Sequence, residues 1–201
     1  MLEIFSVIVL ILSATIHEYM HGFVANQLGD PTAKNAVRLT LNPIKHLDLF
    51  GSILLPLTLL LAGSSFLFGW AKPVPYNPNN LTDRKYGDAK VAVAGPLANL
   101  FMAIIFSVVF RLLDPASLFA YLVAQIILIN LILMTFNLVP IPPLDGSKIL
   151  AVFLPDNLRN KLLYMDARLS MLLVFVFVFF GFSFISPVIY WLFGIFIGVK
   201  L

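Results

Sequence analysis

Long apolar runs constrain this chain more than any other feature. Five of them stand out, at roughly residues 2–27, 50–69, 89–113, 118–139 and 169–199. Crossing the hydrocarbon core of a bilayer takes about 20 consecutive apolar residues as a helix. In lipid a spanning segment must satisfy its own backbone hydrogen bonds, which leaves helices as the way to fold such runs. The chain is 60% hydrophobic and 11% charged, with a mean hydropathy of +0.97. A soluble domain is nearer to about 25% charged. The expectation is one integral membrane domain over 1–201, all-α and polytopic. About five to six transmembrane segments are expected, with a core at 1–150. The last run is long enough for a hairpin at about 169–199, broken near GFSFISP. No polar stretch reaches the length of a separate soluble domain, about 50 residues.

Other classes are set aside quickly. There is no cysteine, so disulfides, thiolate metal sites and a cysteine nucleophile are excluded. A net charge of +3 gives no reason to invoke nucleic acid. The first run lacks a basic leading region and continues into polar residues, so it reads as a retained helix rather than a cleaved signal.

Basic residues orient the helices. Lys34, Arg38 and Lys45 lie in one polar segment, Lys72, Arg84, Lys85 and Lys90 in the next, and Lys148, Arg159, Lys161 and Arg168 in the last. Bases collect on the cytoplasmic side of a membrane protein. The first helix then runs inward, 89–113 outward and 118–139 inward again. Both flanks of 50–69 fall on the cytoplasmic side. That segment is expected to dip in and return, with breaks at Pro56 and Gly63–Ser64–Ser65; one ordinary span with one basic loop outside is the alternative. A hairpin at the C-terminus would bring Lys200 back inside.

The first run ends in IHEYMHG, which carries His17, Glu18 and His21. A charge at the centre of a membrane helix costs roughly 2.5–3.5 kcal/mol on insertion scales, so something must offset it. Histidines four apart lie one turn above each other on a helix face. The pattern H-E-x-x-H lets both reach one zinc ion while the glutamate serves as general base. A hydrogen-bonded core network or a proton path is the other reading. A catalytic zinc also needs a third protein ligand and an open position. His46, the only other histidine, sits between Lys45 and Asp48 and reads as a solvated loop residue. Asp30, Asp48, Asp83 and Asp88 lie in or beside polar loops. Asp145 differs. It follows an apolar helix inside NLVPIPPLDG, where Pro140, Pro142 and Pro143 break the helix and let a carboxylate turn inward.

HEYMH, GPLANL at 95–100 and NLVPIPPLDG at 137–146 together resemble the site-2 protease family of intramembrane zinc metalloproteases. GDPTAK, LTLNPIKHLDLFGSILLP and GWAKPVPYNP are similar to its compact bacterial and archaeal branch, so the likeness spans about 13–150. The resemblance implies zinc held by His17, His21 and Asp145, with Glu18 as base and Asn137 assisting substrate or oxyanion. It implies an endopeptidase that cuts membrane-spanning substrates, in a prokaryotic cell membrane, with its site toward the cytoplasm. One departure is Met20, where the family often has a small residue. PDZ or nucleotide-sensing domains, common among relatives, have no room here.

Cleaving a helix requires unwinding it. AVRLTLN at 36–42 alternates like a strand and, with WAKPVPYN near 70–77, is expected to form a small membrane-associated β element that holds unwound substrate. Leu39, Thr40, Leu41, Val74 and Pro75 would then touch substrate. Asn99 either faces the metal cavity or bonds a neighbouring helix, as Asn130 and Gln125 are expected to do. A divalent-metal transporter or sensor is the competing function, since ionisable groups in the bilayer also mark ion paths. An inactive relative that binds membrane helices is a third. Glu18 discriminates: hydrolysis needs a base beside the first ligand, and transport does not.

Overall fold

The structure is a computed structural model that describes residues 2–54, 57, 58, 61 and 71–198. Helix α1 is Leu2–Gln27, and the single turn α2 is Thr32–Asn35. Helix α3 is Gly87–Phe110 and α4 is Leu118–Asn137. Two short helices follow, α5 at Asp145–Ala151 and α6 at Asp156–Leu163. Helix α7 is Ala167–Ile197.

Four of these, α1, α3, α4 and α7, are long and apolar enough to cross a membrane among the described residues. At 1.5 Å per residue, even α4 with its 20 residues spans about 30 Å, the thickness of the hydrocarbon core. The expected C-terminal hairpin does not form. Gly181 keeps right-handed helical angles, and a π-helical turn at Phe177–Gly181 absorbs the break. The run is one continuous helix, with Ser107 Oγ and Arg111 Nη2 donating to the carbonyls of Phe196 and Ile195 near its far end. Gly198 therefore ends beside Arg111 and not beside the basic loops.

Helix α3 is the hub and packs on α1, α4, α5 and α7. Small residues make this possible: Ala92, Ala94, Gly95, Ala98 and Ala103 are all buried. Lipid is as apolar as leucine, so helices associate in it through close packing of small residues and hydrogen bonds between helices. Ala103 of α3, Ile127 and Leu131 of α4 and Ile189 of α7 form the main apolar core. A second cluster joins Val174 and Val178 of α7 to Val139 and Leu144, and so fixes the proline-rich turn between α4 and α5.

Among the described residues there is no strand, so the expected β element is not formed. The chain around 36–42 spends its N–H groups locally, Val37 on Lys34, Arg38 on Ala33 and Thr40 on Arg38, and Val37 has φ of 54°. Its would-be partner carries Pro73 and Pro75, which have no N–H to offer. The two segments meet through a side chain instead, as Arg38 Nη2 donates to the carbonyl of Lys72 at 2.8 Å. His46 is 1% exposed, not solvated, and its Nε2 pairs with the carbonyl of Thr40 at 2.7 Å. The N–H of Lys72 bonds the carbonyl of His46 at 2.8 Å, so the two flanks of 50–69 lie together at one end of the bundle. Pro56 and Gly63–Ser64–Ser65 lie outside the described residues.

Candidate metal centre

Two inward-facing turns of α1 and the first turn of α5 meet against α3. His17 and His21 are 5% and 8% exposed, and their rings stand edge to face at 4.6 Å. Both Nε2 atoms converge on one oxygen. His17 Nε2 is 3.1 Å and His21 Nε2 is 3.2 Å from Asp145 Oδ2. Residues 128 positions apart are thereby joined. Three prolines end α4 and turn the chain, and Leu144 begins α5 so that Asp145 stands in its first turn. Gly146 makes that turn possible, since a Cβ there would lie 2.1 Å from the carbonyl oxygen of Leu138.

Two doubly protonated rings would satisfy Asp145, whereas two neutral rings need a cation there. His17 Nδ1 faces Asn99 Oδ1 at 2.6 Å, and His21 Nδ1 faces the carbonyl of Val91 at 2.7 Å. A neutral imidazole has one N–H and one lone pair. With each Nδ1–H given to an oxygen, two lone pairs are left pointing at a carboxylate. A divalent cation among Nε2, Nε2 and Oδ2 removes that repulsion. Ligands about 2.0–2.1 Å from a tetrahedral zinc sit about 3.3 Å from one another, close to the spacings found.

Gly95 supplies a second indication. A Cβ on it would lie 2.5 Å from both His17 Nε2 and His21 Nε2. Helix α3 therefore presents bare backbone where the two ligand atoms converge. The donor set of two imidazoles and a carboxylate is that of a catalytic zinc site with its fourth position open.

Glu18 lies beside the ligands. One ligand atom each from His17, Glu18 and His21 fall within 4.8 Å of one another. Its Oε2 accepts the N–H of Val74 at 2.8 Å, which leaves Oε1 uncommitted by that bond. Val74 is 5% exposed and sits in the extended segment 71–77, laid over α1 at Gly22. Tyr76 anchors the segment by donating to Asp88. Burial first, and then the Asp88 charge, push its phenol well above the ordinary range. Asp30 anchors it again, accepting the N–H of Asn77 at 2.6 Å and the amide of Asn80 at 2.8 Å.

The structure thus gathers His17, His21, Asp145, Glu18 and Val74. Apart from Asn99, which stands behind His17, the others fall elsewhere. The Asn137 amide donates to Leu133 in its own helix at 2.9 Å. Pro75 and Leu41 are exposed, and Thr40 is engaged with His46. Leu39 lies against Gly22. Asn99 is 0% exposed, and both ends of its amide are used inside the bundle. Met20 does not pack behind the ligands but lines a 420 Å³ apolar groove with Ile16, Val24, Leu97 and Phe101. Sequence reasoning missed Gly95 as a wall of the site, and the backbone roles of Val91 and Val74. The adjacency of GPLANL to a helix of small residues was the only signal for the first.

The sequence profile described as peptidase family M50 matches residues 114–182, the stretch that carries Asn137 and Asp145. "Putative zinc metalloprotease YwhC" of Bacillus subtilis is 42% identical over 165 residues, covering 78% of this chain and 72% of the relative. The chain belongs to peptidase family M50. "Putative zinc metalloprotease MJ0611" of Methanocaldococcus jannaschii is 33% identical over 73% of this chain and 72% of its own length. "Putative zinc metalloprotease Rip2" of Mycobacterium tuberculosis is 33% identical over 92% of this chain and 71% of its own. No solved structure matches. M50 membership makes this a site-2-type metalloprotease chain, and its four apolar helices fit a multi-pass membrane protein.

Proposed function

We propose that this M50 chain is a zinc-dependent endopeptidase that hydrolyses peptide bonds in the transmembrane segments of other membrane proteins. The observation that carries the proposal is the convergence of His17, His21 and Asp145 on one point, with Glu18 alongside, inside a bundle of membrane-length helices. His17 lies about 15 Å from the C-terminal end of α1, within the hydrocarbon depth.

Zinc held there would act as a Lewis acid and bring the pKa of a bound water toward about 7. The chain supplies the rest. Glu18 takes a proton from the attacking water and passes it to the departing amine nitrogen. The N–H of Val74 holds the carboxylate in place for both transfers. Asn137 assists substrate or oxyanion once its amide leaves Leu133, a rotation that substrate would have to drive.

Orientation follows the charges. Every described basic residue except Arg111 lies toward the end of the bundle that holds the metal centre, which supports a cytoplasmic position for that end in a prokaryotic cell. The decisive experiment is co-expression with membrane-spanning candidate substrates, comparing wild type with Glu18→Gln. Cleavage by wild type and none by the variant, with zinc present in both, is the expected result. A variant that cuts at the wild-type rate overturns the mechanism. Zinc uptake without any cleavage would favour the metal-transport or sensing alternative.

A further inference from the structure

The ligand His17 has a partner behind it that no part of the H-E-x-x-H pattern specifies. Asn99 of α3 is fully buried and its Oδ1 lies 2.6 Å from His17 Nδ1. An amide has two faces, an oxygen that accepts and a nitrogen that donates. Which one meets His17 is decided two residues further back. Asn99 Nδ2 donates to Asn130 Oδ1 at 2.9 Å and to the backbone carbonyl of Ser13 at 3.4 Å. Asn130, also fully buried, donates its own Nδ2 to the backbone carbonyl of Ile126 at 2.9 Å and to Ser13 Oγ at 3.0 Å. Backbone carbonyls can only accept. They force both amides to turn nitrogen toward them, and the one orientation left for Asn99 presents oxygen to the ring.

We propose that Asn99, held by Asn130 and Ser13, is a positioning residue that fixes His17 as the Nδ1–H tautomer and aims its Nε2 lone pair at the metal. The inference rests on the zinc reading of the site. His21 obtains the same result from the carbonyl of Val91, so α3 sets the tautomer of both ligands, one by side chain and one by backbone. Hydrogen bonds behind a ligating histidine fix its ring and raise its basicity, and losing them typically weakens metal binding about 10–100-fold. Two fully buried asparagines in a membrane bundle would also serve as helix glue, so the test must separate the two roles.

The test is a zinc titration of the full-length protein in detergent, stripped of metal and competed against a chromophoric chelator. Asn99→Leu removes the acceptor, and its zinc affinity should fall about 10–100-fold. Asn99→Asp keeps an oxygen for His17 and loses the donors to Asn130 and Ser13. It should bind zinc within about threefold of wild type although its thermal stability drops. Equal losses of affinity in both variants, or none in Asn99→Leu, overturn the proposal and leave helix glue. Should Asn99→Leu fail to fold, the nitrogen shifts of His17 in zinc-loaded wild type decide. Protonated Nδ1 with a metal-bound Nε2 supports the proposal, and protonated Nε2 overturns it. The zinc reading has its own control: wild type that takes up no zinc, or His17→Ala that binds it undiminished, defeats that reading whatever Asn99 does.

Discussion

One missing atom sets the residue scale: Gly95 has no Cβ. A methyl at 95 would sit 2.5 Å from both Nε2 atoms. Gly95→Ala should therefore abolish zinc binding while α3 itself, which alanine favours, stays helical. Metal analysis of the purified variant checks this against about one zinc per chain in wild type. Glu18→Gln should lose at least about 10²-fold in cleavage rate, the size of general-base effects, and keep its zinc. Val74→Pro separates backbone from side chain. It removes the N–H on Glu18 Oε2 and should slow cleavage by about tenfold with zinc affinity unchanged, since one hydrogen bond to a charged group contributes about 1.5–3 kcal/mol.

Elements carry the site through their ends. The segment 71–77 has no regular structure to hold it over Glu18, and Asp30 does that work from the end of α1. Burial alone would raise the Asp30 carboxyl. Hydrogen bonds from Thr32, Asn77 and Asn80 outweigh that and hold it below the usual carboxylate range. A carboxyl depressed in the folded state stabilises it above its ordinary pKa. That stability is lost as pH falls through the lower, folded value. Acidification below about pH 4 should therefore loosen this segment first, and Asp30→Asn should remove that part of the pH dependence. Hydrogen exchange at Asn77 and Val74 across the acid range is the measurement. At the other end of the site, α7 packs on the proline-rich turn through Val174 and through Val178 of its π turn.

The whole molecule is asymmetric in charge. Its metal centre lies near the basic end, and the four membrane-length helices put the turn at 114–117 and Gly198 at the other. Because the chain has no cysteine, single cysteines report sidedness without background. Lys85→Cys should resist a membrane-impermeant thiol reagent in intact cells, and Ala116→Cys should react. A tag fused at the C-terminus should be digestible from outside, which a returning hairpin would prevent.

Apolar runs determined by themselves that this chain crosses a membrane, because the bilayer admits few other solutions. H-E-x-x-H at helical spacing and a carboxylate freed by prolines determined which residues could hold zinc. Those signals are local, and the physics behind them acts within a few residues. The number of crossings in 167–197 was not local. Gly181 and Pro187 look like a break, yet a π turn and the packing of α7 on α3 and α4 keep the helix whole. Nor was the support of the site legible. Asn99 touches His17 across 82 positions, and Val74 reaches Glu18 across 56. Which face of α3 meets α1 depends on the rotation of one helix about another, set by where small residues permit approach. Only the packed bundle decides that, and with it the oxygen that faces His17 and the backbone N–H that holds the base.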